Sequence, residues 1–295
     1  MKTSALLLGT LALSLLTACE GDKPAPALAP SASKLEAPAA KTSGAATFVI
    51  KKDGSQVRFT MEAPIEQILG KLDGASTGEV KVDVSDLTKS TALLSADLGS
   101  LVLTQKRKEK AEDAAFGEEK KEDKQNEHAR AWLEISDESP NKEANRKVEL
   151  TVTSVKTDTP DVTKLTGDER KVKATIGGDF LLHGRKTPKT VEVEVTFRFK
   201  DGKPVSMRVA TTKPFTVGLE EHDVKPRDTV GKLLEKTLSA MSEKVAKEAQ
   251  VSIDFTTELD GAAKANAPAV PSPAVPSPAV PSPAVPSPAV PSPAV

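Results

Sequence analysis

The chain has a single cysteine, no tyrosine, one tryptophan and three histidines in 295 residues. Each scarcity closes off a class of chemistry. One cysteine cannot form an internal disulfide, so no covalent staple supports the fold. Poverty in tyrosine and tryptophan limits aromatic stacking and cation–π recognition of sugars or bases. His128, His183 and His222 fall outside metal-ligand spacing of one another, which excludes a locally encoded zinc site but not one assembled across the fold. His183, in Leu182-His183-Gly184-Arg185, reads as a turn residue, and His222, between Glu221 and Asp223, as a solvated loop residue or, with its acidic neighbours, part of a cation-holding cluster. Acidic and basic side chains nearly balance, 42 against 41. Without a basic excess, nucleic acid is not an expected partner. No Gly-rich phosphate loop or nucleophile elbow occurs. An enzyme is therefore the minority expectation, with no cofactor and no metal.

Long apolar runs are lacking too. The longest begins at Ala5-Leu6-Leu7-Leu8, behind Lys2, and ends at Leu15-Leu16. A bilayer-spanning helix needs roughly 20 apolar residues, so residues 1–18 read as a cleaved export signal. Leu16-Thr17-Ala18-Cys19 resembles the bacterial lipoprotein signal, in which the cysteine becomes the acylated N-terminus. Lipidation of Cys19 removes a thiol that would be a liability in an oxidising compartment. Two or more acyl chains also anchor stably where one would not. An ordinary signal peptide with an incidental cysteine is the alternative. The expected location is the bacterial cell envelope, membrane-anchored and facing the periplasm.

What is present divides the rest of the chain into three. Residues 19–45, rich in Ala, Pro and Ser, hold few large apolar groups and read as a flexible tether. Residues 46–260 are enough for one sizeable domain. Residues 261–295 form a tail in which Pro-Ser-Pro-Ala-Val repeats five times from Pro271. Its proline density favours polyproline II, a semi-stiff spacer or a peptide offered to an envelope partner.

Within the domain, period-2 alternation dominates, the mark of half-buried strands. From 190 to 199, Val191, Val193, Val195, Phe197 and Phe199 alternate with polar residues. Val57-x-Phe59-x-Met61, Val80-x-Val82-x-Val84, Val148-x-Leu150-x-Val152, Val205-x-Met207-x-Val209 and Val251-x-Ile253-x-Phe255 repeat the pattern. Asp53-Gly54, Asp73-Gly74, His183-Gly184 and Asp201-Gly202 supply turns between them. The expected fold is all-β, an antiparallel sheet closed or stacked to bury one face. Helical insertions are expected at 64–69, behind Pro64, and at 229–249, where Val230, Leu233, Leu234, Leu238, Met241 and Val245 recur near helical spacing. Residues 106–125, with seven basic and seven acidic side chains, read as a solvated helix or charged loop.

One block is more specific. Gly177-Gly178-Asp179-Phe180-Leu181-Leu182-His183-Gly184-Arg185-Lys186-Thr187-Pro188-Lys189-Thr190-Val191 resembles the strand, His-Gly turn, Thr-Lys-Pro and strand signature of the YceI family of exported bacterial proteins. Gly70 to Val80 and His128 to Ile135 are weaker echoes, the second similar to the strand after that family's helical insert. The resemblance implies an antiparallel lipocalin-like β-barrel, here flanked by disordered tails, whose interior holds a polyisoprenoid chain without catalysis. Leu150, Val152, Val193, Val195, Phe197, Phe199, Met207 and Val209 are then the candidate tunnel lining. The alternation alone leaves a second reading open. The same side chains pack one another in a filled core, and the lipoprotein acts structurally, its Pro-rich tail engaging a partner or spanning the envelope.

Overall fold

The computed structural model describes residue 30, residues 34–225 and residues 246–261. The export segment, Cys19, most of the expected tether, the apolar stripe of the 229–249 helix and the tail from 262 lie outside the described residues. Among the described residues, alternating apolar and polar side chains form thirteen strands of one antiparallel sheet. They are β1 (Ala46–Ile50), β2 (Gln56–Ala63), β3 (Glu66–Asp73), β4 (Ser76–Val82), β5 (Thr91–Asp97), β6 (Val102–Arg107) and β7 (Lys147–Val152). There follow β8 (Ser154–Lys156), β9 (Glu169–Leu182), β10 (Arg185–Lys200), β11 (Lys203–Thr211), β12 (Phe215–Gly218) and β13 (Glu248–Leu259). Two helices, α1 (Asp123–Trp132) and α2 (Lys142–Asn145), interrupt the sheet between β6 and β7.

The sheet closes on itself. Its path β1-β4-β5-β7-β9-β10-β11-β13 returns to β1, with Phe48 opposite Leu259 and Ile50 opposite Thr257. Closure leaves the strands of this ring without the open edges that would otherwise template pairing with other chains. Several staves of the barrel are broken in two. β1 and β2 follow one another along one side of β13, Ile50 facing Thr257 and Gln56 facing Asp254, with a turn between them at Asp53-Gly54. β3 and β4 answer them, β3 against β2 and β4 against β1. β6 then pairs with β3, and β5 with β4. The breaks let β2, β3 and β6 continue the wall beyond the ring.

The long hairpin β9–β10 is the most continuous stave pair, in register from Arg198 opposite Glu169 to Arg185 opposite Leu182. It contains the whole 177–191 block. Gly178 is required there: a Cβ on it would stand 1.9 Å from the carbonyl oxygen of Thr151, where β9 crosses from β8 to β7.

Four sequence expectations are corrected. Residues 66–69 are strand, not helix: Ile68 and Leu72 are buried at period 2, and six residues are too few to nucleate a helix unaided. His128–Trp132 belong to α1 rather than to a strand; Ala129, Trp132 and Leu133 give that helix an inner edge. Glu248 and Ala249, the last residues of the expected 229–249 helix, begin β13, whose alternation of Ala249, Val251, Ile253 and Phe255 is that of a strand. The expected tether 19–45 is docked from residue 34 onward. Leu35 is buried, its N–H donates to Glu149 Oε2 (2.5 Å), and Lys41 Nζ donates to the carbonyl of Thr153 (2.8 Å). Thr42 Oγ1 donates to Asp83 Oδ2 (2.8 Å). Backbone carbonyls do the rest: that of Pro38 accepts from Lys81 Nζ and that of Ala39 from Thr91 Oγ1. A low-hydrophobicity segment is thus held by one leucine and a row of hydrogen bonds across β4, β5 and β7.

Candidate functional site: an apolar cavity inside the barrel

Side chains on the inner face of a barrel are either packed or hollow around, and this barrel divides between the two. Along β10, Val191, Val193, Phe197 and Phe199 are all buried. Along β2, the inward Val57, Phe59 and Met61 are only half-buried, because they border a cavity of about 170 Å³. That cavity is walled by β2, β5, β7, β12 and β13 and closed on one side by Ala129, Trp132 and Leu133 of α1 and its end. Phe59 reaches its place by lying over Gly70 of β3, where any Cβ would fall 2.0 Å from the ring.

A second cavity of about 70 Å³ lies among Val80, Val82, Val152, Val193, Val195 and Met207. Leu94 and Phe255 border both cavities and so form the partition between them. Beyond the small cavity, the guanidinium of Arg170 lies 3.7 Å from the centre of the Phe199 ring and donates to the carbonyls of Gly167 and Val162. A cation stacked on an aromatic face and tied to two carbonyls stops that end.

The structure places the eight candidate lining residues as follows. Leu150 borders the larger cavity; Val152, Val193, Val195, Phe197, Met207 and Val209 border the smaller one. Phe199 borders neither and packs against Phe197, ring centres 6.5 Å apart, beneath Arg170. The larger void was missed. Its walls Val57, Phe59, Met61, Val251 and Ile253 carry the same alternation as the packed strands, and alternation shows which face is inward, not whether that face is filled. The lining of the larger cavity includes no lysine or arginine among the described residues. Its one ionisable side chain among these residues is Glu149, whose carboxylate is taken up by the Leu35 N–H.

A cluster of charged and imidazole side chains gathers beside this cavity. The β9–β10 turn places His183, at φ 50°, so that Nε2 lies 2.9 Å from Glu134 Oε2 and Nδ1 3.1 Å from the carbonyl of His222. Arg185 donates to the His183 carbonyl (2.7 Å) and to Asp223 Oδ2 (2.9 Å). Glu134 and Asp223 also sit in the left-handed region, at φ 52° and 56°. His222 is fully buried, not solvated: Nδ1 lies 3.2 Å from the carbonyl of Leu182 and Nε2 3.3 Å from Thr187 Oγ1, with Phe180 edge-on to its ring. Burial holds its pKa below the ordinary imidazole value. His183 is a turn residue as expected, but buried. The cluster therefore reads as a buried brace that joins the hairpin turn, the residues after α1 and the 219–224 segment. Among the described residues no group of three or more His, Cys, Asp or Glu is arranged to hold a metal ion, and no helix is long and apolar enough to cross a membrane.

No family model and no curated protein matches the chain. Among solved structures it is similar to a polyisoprenoid binding domain from Saccharophagus degradans implicated in plant cell wall breakdown, at 14% identity and a TM-score of 0.44, over 73% of this chain and 99% of that one. It is also similar to Burkholderia cenocepacia BcnA, at 14% identity and a TM-score of 0.40, over 68% of this chain and 95% of the other.

Proposed function

We propose that the barrel is a non-catalytic, YceI-like binder that holds a polyisoprenoid or similar apolar lipid, tethered to a membrane of the bacterial envelope through lipidated Cys19. The observation that carries this is the apolar cavity of about 170 Å³ bordered by half-buried Phe59, Met61, Val251 and Ile253. A dry cavity of about 150 Å³ lined by Leu, Ile and Phe takes up benzene. The larger cavity as it stands therefore admits a short piece of hydrocarbon, and a longer chain needs the partition at Leu94 and Phe255 to turn aside. Each methylene removed from water contributes about 0.8 kcal/mol, so a threaded chain offsets that rearrangement within a few isoprene units. The 177–191 block supports the same reading, because it forms one hairpin whose Phe180 and Leu182 border the cavity.

The alternative, a structural lipoprotein with a filled core, is favoured by the β10 side, where Val191, Val193 and Phe197 are almost wholly inaccessible. Trp132, the only tryptophan, borders the larger cavity and separates the two readings. Titrating the full chain with a long-chain polyprenol is expected to shift Trp132 emission to saturation at one chain per barrel. Emission unchanged at all concentrations, with no rise in melting temperature, would leave the filled core as the correct account.

A further inference from the structure

Among the described residues, the buried side-chain polar atoms left without a hydrogen-bond partner are Oε1 and Nε2 of one residue, Gln105 on β6. Gln105 is 2% exposed. Burying an amide unpaired costs a few kcal/mol, so a residue kept there with both ends open calls for an explanation.

Its backbone is satisfied by two hydrogen bonds of 2.8 Å each with Lys120, and it stands opposite Ile68 of β3 in register. The side chain is the part that lacks a partner. Residues directly opposite one another in an antiparallel sheet project to the same face. Met61, Ile68 and Gln105 stand opposite in sequence across β2, β3 and β6. Met61 borders the larger cavity, and so does Leu103, two residues earlier on β6 and therefore on the same face. Gln105 thus stands on the inner face of the wall, next to the cavity's border.

We propose that Gln105 is the docking point for a neutral hydroxyl head on an otherwise apolar chain. An amide offers one acceptor and one donor group, and a hydroxyl can donate to Oε1 and accept from Nε2. An anionic phosphate or diphosphate head is disfavoured, since among the described residues the cavity lining has no lysine or arginine to compensate a desolvated charge. A bare hydrocarbon leaves the amide as it is. The assignment rests on the lipid-binding reading above and makes it specific: the ligand class is a long-chain isoprenoid alcohol rather than its phosphate or its hydrocarbon.

The test presents three C20 isoprenoids on cyclodextrin to the full chain, the alcohol, its monophosphate and a hydrocarbon of the same length, and follows Trp132 emission. The alcohol is expected to bind about tenfold more tightly than either of the others, the scale of one well-placed hydrogen bond plus a relieved unpaired amide. Gln105→Leu is expected to remove the alcohol's advantage while leaving the hydrocarbon's affinity unchanged. It should also raise the melting temperature of the empty protein; Gln105→Met, closer in shape, provides the same comparison if the leucine packs badly. Equal affinity for alcohol and hydrocarbon in the unaltered chain would overturn the assignment while leaving lipid binding intact. So would an alcohol preference that survives both substitutions, or a phosphate preferred to both neutral probes. Binding of none of the three would overturn the lipid reading itself, and this inference with it.

Discussion

Two kinds of titrating residue set how the barrel responds to acid, and they act in different windows. His222 is buried against Phe180 and between the Leu182 carbonyl and Thr187, and burial holds its pKa below 6.5. The unfolded chain therefore takes up a proton that the folded chain refuses. The stability this residue contributes is complete above pH 6.5 and falls as the pH drops below it. Asp97 and Asp83 behave differently. Arg146 hydrogen-bonded to Asp97, and Ser85 and Thr42 hydrogen-bonded to Asp83, hold both carboxyls below the ordinary value of 3.8. Their contribution is intact above that value and is lost only in stronger acid. Thermal unfolding followed from pH 8 to pH 3 should show two declines, the first beginning near pH 6.5, and His222→Asn should remove the first without touching the second. A melting temperature flat between pH 8 and pH 5 would contradict the burial described for His222.

At the scale of elements, the segment 34–42 behaves as part of the barrel. Leu35 is buried, with its N–H on Glu149 of β7, and the segment's backbone and side chains bond to β4, β5 and β7 and the residues just after them. Leu35→Ala is expected to cost about 2 kcal/mol, the lower end of the range for losing a buried leucine, readable by chemical denaturation; a free tether would show no change. The sequence hides this strap because only one of its residues is large and apolar, and backbone groups, which carry half of its hydrogen bonds to the barrel, are the same in every residue. The strands were legible for the opposite reason. Val57-x-Phe59-x-Met61 and Val191-x-Val193-x-Val195 state their faces outright, and the glycine turns at 54, 184 and 202 mark where the chain reverses. Illegible were the breaks within staves and the identity of 66–69, where Pro64 invites a helix locally but pairing of Ile68 with Met61 and Gln105 decides for a strand.

On the scale of the whole molecule, the barrel is nearly filled at one end, where a cavity of about 70 Å³ remains, and hollow at the other. Arg170 stacked on Phe199 stops the filled end, β10 packs it with valine and phenylalanine, and the void lies toward β2, β12, β13 and α1. The sequence expectation placed the lining mostly around the small cavity, because the strand with the cleanest alternation is also the one with the best-packed inner face. Cavity position depends on how the broken staves diverge beyond the ring, which no single strand's pattern encodes. Lipid binding requires the hollow end to be a binding space and the partition at Leu94 and Phe255 to yield to a chain longer than a few isoprene units.

Native mass spectrometry of the full chain, purified from a bacterial host into an amphipathic polymer instead of detergent, tests that need most directly. A complex carrying one apolar lipid of several hundred daltons, released by organic solvent and identified as an isoprenoid, is the expected result. A protein mass without lipid, unchanged after incubation with isoprenoid alcohols, would contradict lipid binding.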